Sequence, residues 1–504
     1  MGVLSRLTAS RIAETAGTDQ AASGPVSTAL YNEDLAPTKI AGRRWRAYNI
    51  FTLWANDVNS LGNYTFAIGL FALGLGAWQV LLALMIGAAL LFVLLNLSGY
   101  MGYKTGLPFP VLSRISFGIR GAQIPALIRG AVAIVWFGIQ TYLASVVFCV
   151  MLIAIDPGLS ALYRNSILGL STLGWICFGV LWIVQVVILM YGIEMVRKYE
   201  AFAGPIILFT MGALAVWMFF RAGGSIAWSA GSELSGAPMW NKIFAGGSLW
   251  IAIYGTFLLN FCDFTRSAKS RKSITLGNFW GLPINICIFG IVTVVLCGAQ
   301  FKVNGQIIKS PTDIVHAIPN TFLLVIASLA LLILTVAVNL MANFVAPAYA
   351  IANLFPKKLN FRRGGLISAI IGVLILPWNL YNSPVVVEYF LGGLGALLGP
   401  LFGVFIADYW LVRKARIDLP ALYSPAPDGE YHYRAGVNPR AVFAFAVAGA
   451  IAVAVAFVPE LAVVAPFSWL FGAGIAALLY YLIAERHRDY RAVSGESIAV
   501  SSTD

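Results

Sequence analysis

The chain has 504 residues, of which 60% are hydrophobic and only 11% charged, whereas soluble domains carry roughly a quarter charged residues. That balance excludes the row of soluble domains which length alone would suggest. The net charge of +12 gathers on no soluble domain, so it does not point to nucleic acid.

The first 42 residues, opening MGVLSRLTAS, lack the apolar region of a signal peptide and read as a polar, mobile tail. Beyond them runs a succession of apolar stretches, each about 20 residues long, the span of a bilayer helix. Backbone in hydrocarbon must satisfy its own hydrogen bonds, and runs this long do so as helices rather than as the strands of a barrel. Spans are predicted near 49–74, 77–99, 124–154, 169–191, 200–220, 243–262, 280–300, 320–345, 364–381, 384–411, 439–458 and 462–483. They make one membrane domain over 43–484, followed by a polar tail over 485–504.

The centre of the first span holds Asp57, Asn59, Ser60, Gly62, Asn63 and Tyr64, all poor bilayer formers. A mid-helix Asp alone costs about 2.5–3.5 kcal/mol on insertion scales, so the helix is expected to break there. The third span carries Trp136 and Gln140, four apart and therefore on one helical face. Such a pair suits a flat heterocycle. The indole stacks, worth about 1–3 kcal/mol in nucleic-acid sites, and the amide reads an imide or ureide edge as donor and acceptor. A packing Trp beside an interhelical Gln is the alternative. The sixth span is interrupted near Gly255 and Thr256, although Gly255 reads equally as a packing residue. Broken spans five apart have the spacing of a five-helix inverted repeat with a site between them. In the eighth span Asn339 and Asn343 are again four apart, as interhelical glue or as site residues. Gly392, Gly393, Gly395 and Gly399 follow no strand, so they signal close helix packing rather than a nucleotide loop.

Loop charge sets the orientation. Twenty-four Lys and Arg residues fall on the side of the N-terminus, against five (Arg164, Arg221, Lys242, Lys302 and Lys309) on the other. Both termini are therefore expected in the cytoplasm. The five cysteines sit in or beside spans without metal-ligand spacing and read as packing residues. His316, His432 and His487 scatter over loops and tail. No metal, cofactor or enzymatic constellation is expected.

At these residues the chain resembles the nucleobase–cation symporter type 1 family of uracil, cytosine, allantoin, hydantoin and thiamine permeases. The likeness runs from about Arg43 to the C-terminal tail. It is carried by NYTFAIGLFALGLGAWQ, GLPFPVLSRISFGIRGA, WFGIQ, NFCDFTRSAK and NLMANFVAPAYAIANLFP. The resemblance implies an all-α membrane protein of LeuT-type fold with 12 transmembrane helices. Two inverted repeats of five, about 47–221 and 242–411, are followed by two peripheral helices at about 439–483. It implies a secondary transporter in the cell membrane, working by alternating access.

Carried over residue by residue, the family's aromatic sandwich becomes Trp136 and Tyr254, where many members have Trp at the second position. Its amides become Asn59, Gln140 and Asn343. In sodium-coupled hydantoin members the cation sits on backbone carbonyls, here those of Ala55, Val58 and Leu334, and on two hydroxyl side chains. Those last positions are Ala337 and Val338, which have no hydroxyl. The expected partner is a flat nitrogen heterocycle: allantoin, uracil or a related hydantoin, ahead of cytosine or thiamine. The expected coupling cation is the proton before sodium, with Asp57 as the titrating group, because burial disfavours the charged form of a carboxyl. A carrier of amino acids or other solutes is the alternative and a channel the third reading. Amino-acid carriers usually meet the carboxylate with a Gly-rich unwound helix, unlike the Asp- and Asn-bearing break here. A monomer in the lipid bilayer is expected.

Overall fold

The computed structural model describes residues 27, 29–230, 234–307, 315, 318–381, 383 and 392–494. Lys309, His316 and the start of the expected tenth span (384–391) lie outside the described residues. Within them the regular structure is helical, with only isolated β-bridges.

The first span is two helices, α1 (Ala47–Val58) and α2 (Leu61–Ala72). Four unbroken helices follow: α3 (Ala77–Thr105), α4 (Gln123–Ile155), α5 (Thr172–Met190) and α6 (Ile193–Arg221). The sixth span divides at Tyr254 into α7 (Gly236–Ile253) and the short α8 (Gly255–Asn260). In the seventh, a π-helical turn at Trp280–Ile284 joins α9 (Arg271–Phe279) to α10 (Asn285–Asn304). A second π turn, Leu340–Phe344, joins α11 (Thr321–Asn339) to α12 (Val345–Leu354) in the eighth. Then come α13 (Phe361–Leu374), α14 (Pro377–Tyr381), α15 (Gly392–Ile406), α16 (Pro439–Phe457) and α17 (Ser468–Ile483).

Among the described residues, nine helices are long and apolar enough to cross a membrane. The expected spans missing from that set are the first, sixth and ninth, and each of these is divided. The ninth stops at Leu376, whose φ is 50° and which precedes Pro377. A proline ring disfavours helical backbone in the residue before it, so α13 cannot run on into α14.

Glycines let helices approach closely. A Cβ on Gly399 or Gly403 would collide with the carbonyls of Trp469 or Ala473 in α17. Of the glycine-rich run, Gly399 thus serves close helix packing, whereas a Cβ on Gly395 would meet nothing within 4 Å.

One end of the molecule gathers the basic loops. Thr38 N–H donates to Gly106 O at 2.8 Å, and Trp45 N–H to Ser267 O at 2.9 Å. Arg266 donates to Asp34 O (3.0 Å) and Ala36 O (2.5 Å), and Tyr423 Oη–H to Leu35 O (2.6 Å). Phe361 N–H donates to Asp34 Oδ2 at 2.8 Å, and Leu419 N–H to Val493 O at 3.2 Å. These contacts bring the loops after the second, sixth, eighth and tenth spans to the same side as residues 34–45 and Val493. They also correct part of the expected tail over 1–42: residues 30–38 pack against the loops, with Leu35 fully buried. The cause is polar pairing with distant loops, which the tail's own composition does not reveal.

Candidate functional site

Val58 ends α1 two residues before α2 begins, and a helix end leaves backbone carbonyls without partners. The side chain of Asn63 reaches back to supply them, donating to Asp57 O at 2.8 Å and Val58 O at 3.3 Å. Ser60 caps the new helix by accepting from Asn63 N–H at 3.3 Å. This arrangement turns Asp57, Ser60 and Asn63 into the wall of a cavity of about 800 Å³.

Trp136 and Gln140 of α4 line the same cavity. Both are partly exposed to it, while Phe137, Gly138 and Ile139 between them are buried. Among the described residues the Gln140 amide has no hydrogen-bond partner. The two asparagines of the eighth span take different parts. Asn339 is fully buried and donates to Phe137 O (3.0 Å), Thr141 Oγ1 (3.0 Å) and Gln185 Oε1 (2.7 Å), tying α11 to α4 and α5. Asn343 donates to Asn339 Oδ1 at 3.0 Å and lines the cavity from within the π turn. Such turns recur at functional sites because they re-aim side chains.

Other expected residues stand elsewhere. Tyr254 is fully buried, with ring centroids 5.5 Å from Trp250 and 6.0 Å from Trp54, and it does not line the cavity. Its hydroxyl accepts from Asn63 Nδ2 at 3.2 Å and lies against the Asp57 carboxyl. The sixth-span aromatic on the cavity wall is Phe257. Asn59 is also displaced from the expected site. Its amide donates to Ala55 O (2.9 Å) and Asn285 Oδ1 (3.3 Å) and accepts from Tyr64 Oη–H (3.0 Å).

The carbonyls of Ala55 and Val58, expected as cation ligands, thus hold the amides of Asn59 and Asn63. Leu334 and Ala337 are fully buried, and Val338 presents only methyl groups to the cavity. Gly255 packs against Trp469: a Cβ there would lie 2.6 Å from the indole Nε1.

The family described as permeases for cytosine/purines, uracil, thiamine and allantoin matches residues 37–476. The chain is 36% identical to the allantoin permease of Bacillus subtilis, over 92% of this chain and 94% of that one. It is 33% identical to a purine-uracil permease of Arabidopsis thaliana, over 96% and 82%. This chain belongs to the nucleobase–cation symporter type 1 family. Among solved structures it resembles the family transporter Mhp1 in a closed conformation with bromovinylhydantoin bound. The TM-score is 0.73 at 26% identity, covering 90% of this chain and 95% of that one. A sodium-coupled sialic acid symporter, at 12% identity and TM-score 0.60, shares the fold.

One residue of this permease's site escaped the sequence reading altogether. Arg129 lies on the α4 face of Val132 and Trp136, one turn nearer the basic end, and is only 1% exposed. Its guanidinium donates to Thr256 O (3.3 Å), Asn260 Oδ1 (3.2 Å) and Ala342 O (2.7 Å), bridging α4 to the sixth and eighth spans. Thr256 and Ala342 both line the cavity, so Arg129 ties together two residues of its wall. The signal was present, since an ionisable residue inside a membrane span marks a functional position by default. The cavity reaches the exposed Ala462, in the connection between α16 and α17.

Proposed function

We propose that this permease imports a small flat nitrogen heterocycle, with allantoin, uracil or a related hydantoin leading and cytosine or thiamine behind, in symport with a cation. The observation that carries this reading is convergence. Trp136, Gln140, Asn343 and the break of the first span face one cavity, and the Gln140 amide has no partner among the described residues. Trp136 stacks the ring with Phe257 opposite, and Gln140, Asn343 and Asn63 pair with carbonyl and N–H groups on its edge. The allantoin, uracil and hydantoin permeases among its relatives support the substrate class.

The proton is the coupling ion we favour over sodium. Ala337 and Val338 offer no oxygen, two of the candidate carbonyls hold asparagine amides, and Asp57 stands on the cavity wall. The divided first and sixth spans then serve as matching members of inverted repeats about 47–221 and 242–411, with α16 and α17 peripheral and the basic end cytoplasmic. With that orientation the cavity reaches outward past Ala462, with Arg129 on its inward side. The protein works as a monomer.

Uptake of labelled allantoin, uracil, hydantoin, cytosine and thiamine by a deletion host, at several pH values and with sodium or choline, tests the reading. Saturable uptake of one heterocycle, rising with outside acidity and abolished by a protonophore, is the expected result. Uptake that follows sodium and ignores the protonophore overturns proton coupling. No uptake of any heterocycle overturns the substrate class.

A further inference from the structure

Glu200 belongs to no part of the site described above, yet it is a carboxyl only 1% exposed, deep between α6 and α1. The helices are tight here, with the place of a Cβ on Gly204 only 3.2 Å from Thr52 Cβ. Asn56, itself fully buried, donates from Nδ2 to Glu200 Oε2 at 2.6 Å and to Glu200 O at 3.0 Å. The two remaining polar atoms of this pair, Glu200 Oε1 and Asn56 Oδ1, are both buried and both without a partner. If the carboxyl is ionised, each is an acceptor with nothing to accept, and buried polar groups left so cost about 1–3 kcal/mol apiece.

Among the described residues no cation compensates a charge at this place: Arg197, one turn before Glu200 on α6, is paired with Glu194 at 2.5 Å. The titratable neighbours are Asp57 and Tyr48 on α1, the latter donating to Ala201 O at 3.0 Å, and Tyr199 on α6, donating to Ile333 O at 3.1 Å. Helices α5 and α11 contain no Asp, Glu, Lys, Arg or His, and α10 contains only Lys302, which bonds Ser225 beyond the far end of α6.

We propose that Glu200 and Asn56 form a proton-binding site, in which the acid proton on Glu200 Oε1 is donated to Asn56 Oδ1 and closes a two-point acid–amide pair. The added proton satisfies both orphaned atoms at once. A proton from water adds to Oε1 and turns carboxylate into acid; its return to water restores the carboxylate, and no other covalent bond changes. This site rests on the reading of the chain as a proton symporter and adds to it a second carboxyl, behind Asp57, that fills and empties during transport.

Glu200→Gln is the informative variant. Its amide can donate to Asn56 Oδ1 and accept from Asn56 Nδ2, so a purely structural role survives the exchange. Infrared spectra of the purified protein at neutral pH should contain the carbonyl stretch of a protonated carboxylic acid, lost in Glu200→Gln and displaced in Asn56→Ala. In proteoliposomes holding a pH dye, with allantoin as probe, Glu200→Gln should still exchange allantoin but lose allantoin-driven proton entry. An infrared band unchanged by Glu200→Gln, or wild-type proton entry in that variant, overturns the site. Wild-type allantoin uptake that leaves the interior pH unmoved overturns the symport reading and the transport role of Glu200 with it. Failure to carry allantoin falls on the substrate assignment alone, and the infrared measurement, which needs no solute, still decides the site.

Discussion

The divided first and sixth spans are held open in different ways. At the first, the groups that satisfy the broken backbone are local: Ser60 caps α2, and Asn63 reaches back to Asp57 O and Val58 O, six and five positions away. At the sixth, the flanks are Ile253, Tyr254 and Gly255, with no short polar side chain to cap either helix. Support arrives from α4, where Arg129 donates to Thr256 O from 127 positions away. A break with its own caps can form before the helices assemble. A break without them depends on the assembled bundle, and its stability should fail with the residue that bridges it.

The largest expected effect follows directly. Arg129→Met keeps the length of the side chain but strips partners from Thr256 O, Asn260 Oδ1 and Ala342 O together. Each buried acceptor left without its donor costs about 1–3 kcal/mol, and three are lost together. Thermal unfolding in detergent should show a large loss of stability, and Arg129→Lys, which keeps the charge without the planar fork, should recover only part of it. A Met variant as stable as the wild type would mean that the sixth break holds itself open.

Asn63→Ala is the local counterpart and should cost less. Two carbonyls at the end of α1 lose their side-chain donor, but water in the cavity can reach the break, so about 1–3 kcal/mol is expected. Uptake should fall further than stability, because Asn63 also lines the cavity. Equal stability losses at Arg129 and Asn63 would erase the contrast between the two breaks.

The same contrast decides what could be read from the sequence. The first break was legible because Asp57, Asn59, Ser60 and Asn63 are crowded within it, and the structure opens at Asn59–Ser60. Trp136 and Gln140 were legible because α4 is regular there, and four-residue spacing fixes a common face. Asn343 sits one turn beyond Asn339, and only the π turn and the partners on α4 and α5 separate site residue from glue. Tyr254 and Asn59, carried over from the family resemblance, do not line the cavity, and each is the junction residue of a break. Where the backbone leaves helical geometry, helical spacing no longer says which way a side chain points. Arg129 and Glu200 were overlooked because their partners lie on other spans.

Ring contacts bring the comparison to the solute. Phe257→Ala should weaken heterocycle binding by about 1–3 kcal/mol, a loss of roughly 5- to 150-fold, and Trp136→Ala by a similar amount. Equilibrium binding of labelled solute to the purified protein measures both. If Trp136→Ala matters and Phe257→Ala does not, the ring is stacked on one side only, and the sixth span serves as scaffold rather than wall.

The smallest effect is expected at the junction of the sixth break. Tyr254→Phe keeps the ring among Trp54, Trp250 and the helix ends, and removes one oxygen. That oxygen accepts from Asn63 Nδ2 and faces the Asp57 carboxyl, so its loss should cost only about 0.5–1.5 kcal/mol of stability, the net worth of one hydrogen bond. Because Tyr254 does not line the cavity, solute affinity should not change. What should change is the pH profile of uptake, since the hydroxyl is one of the groups that set how readily Asp57 gains or loses a proton. Affinity and profile are separable: one is read from binding at a single pH, the other from uptake rates across a pH series. If affinity falls while the profile stays fixed, the hydroxyl touches the solute and Tyr254 returns to the cavity wall. If the profile moves while affinity holds, the two breaks are joined chemically as well as in space, with the sixth span tuning the carboxyl that the first exposes.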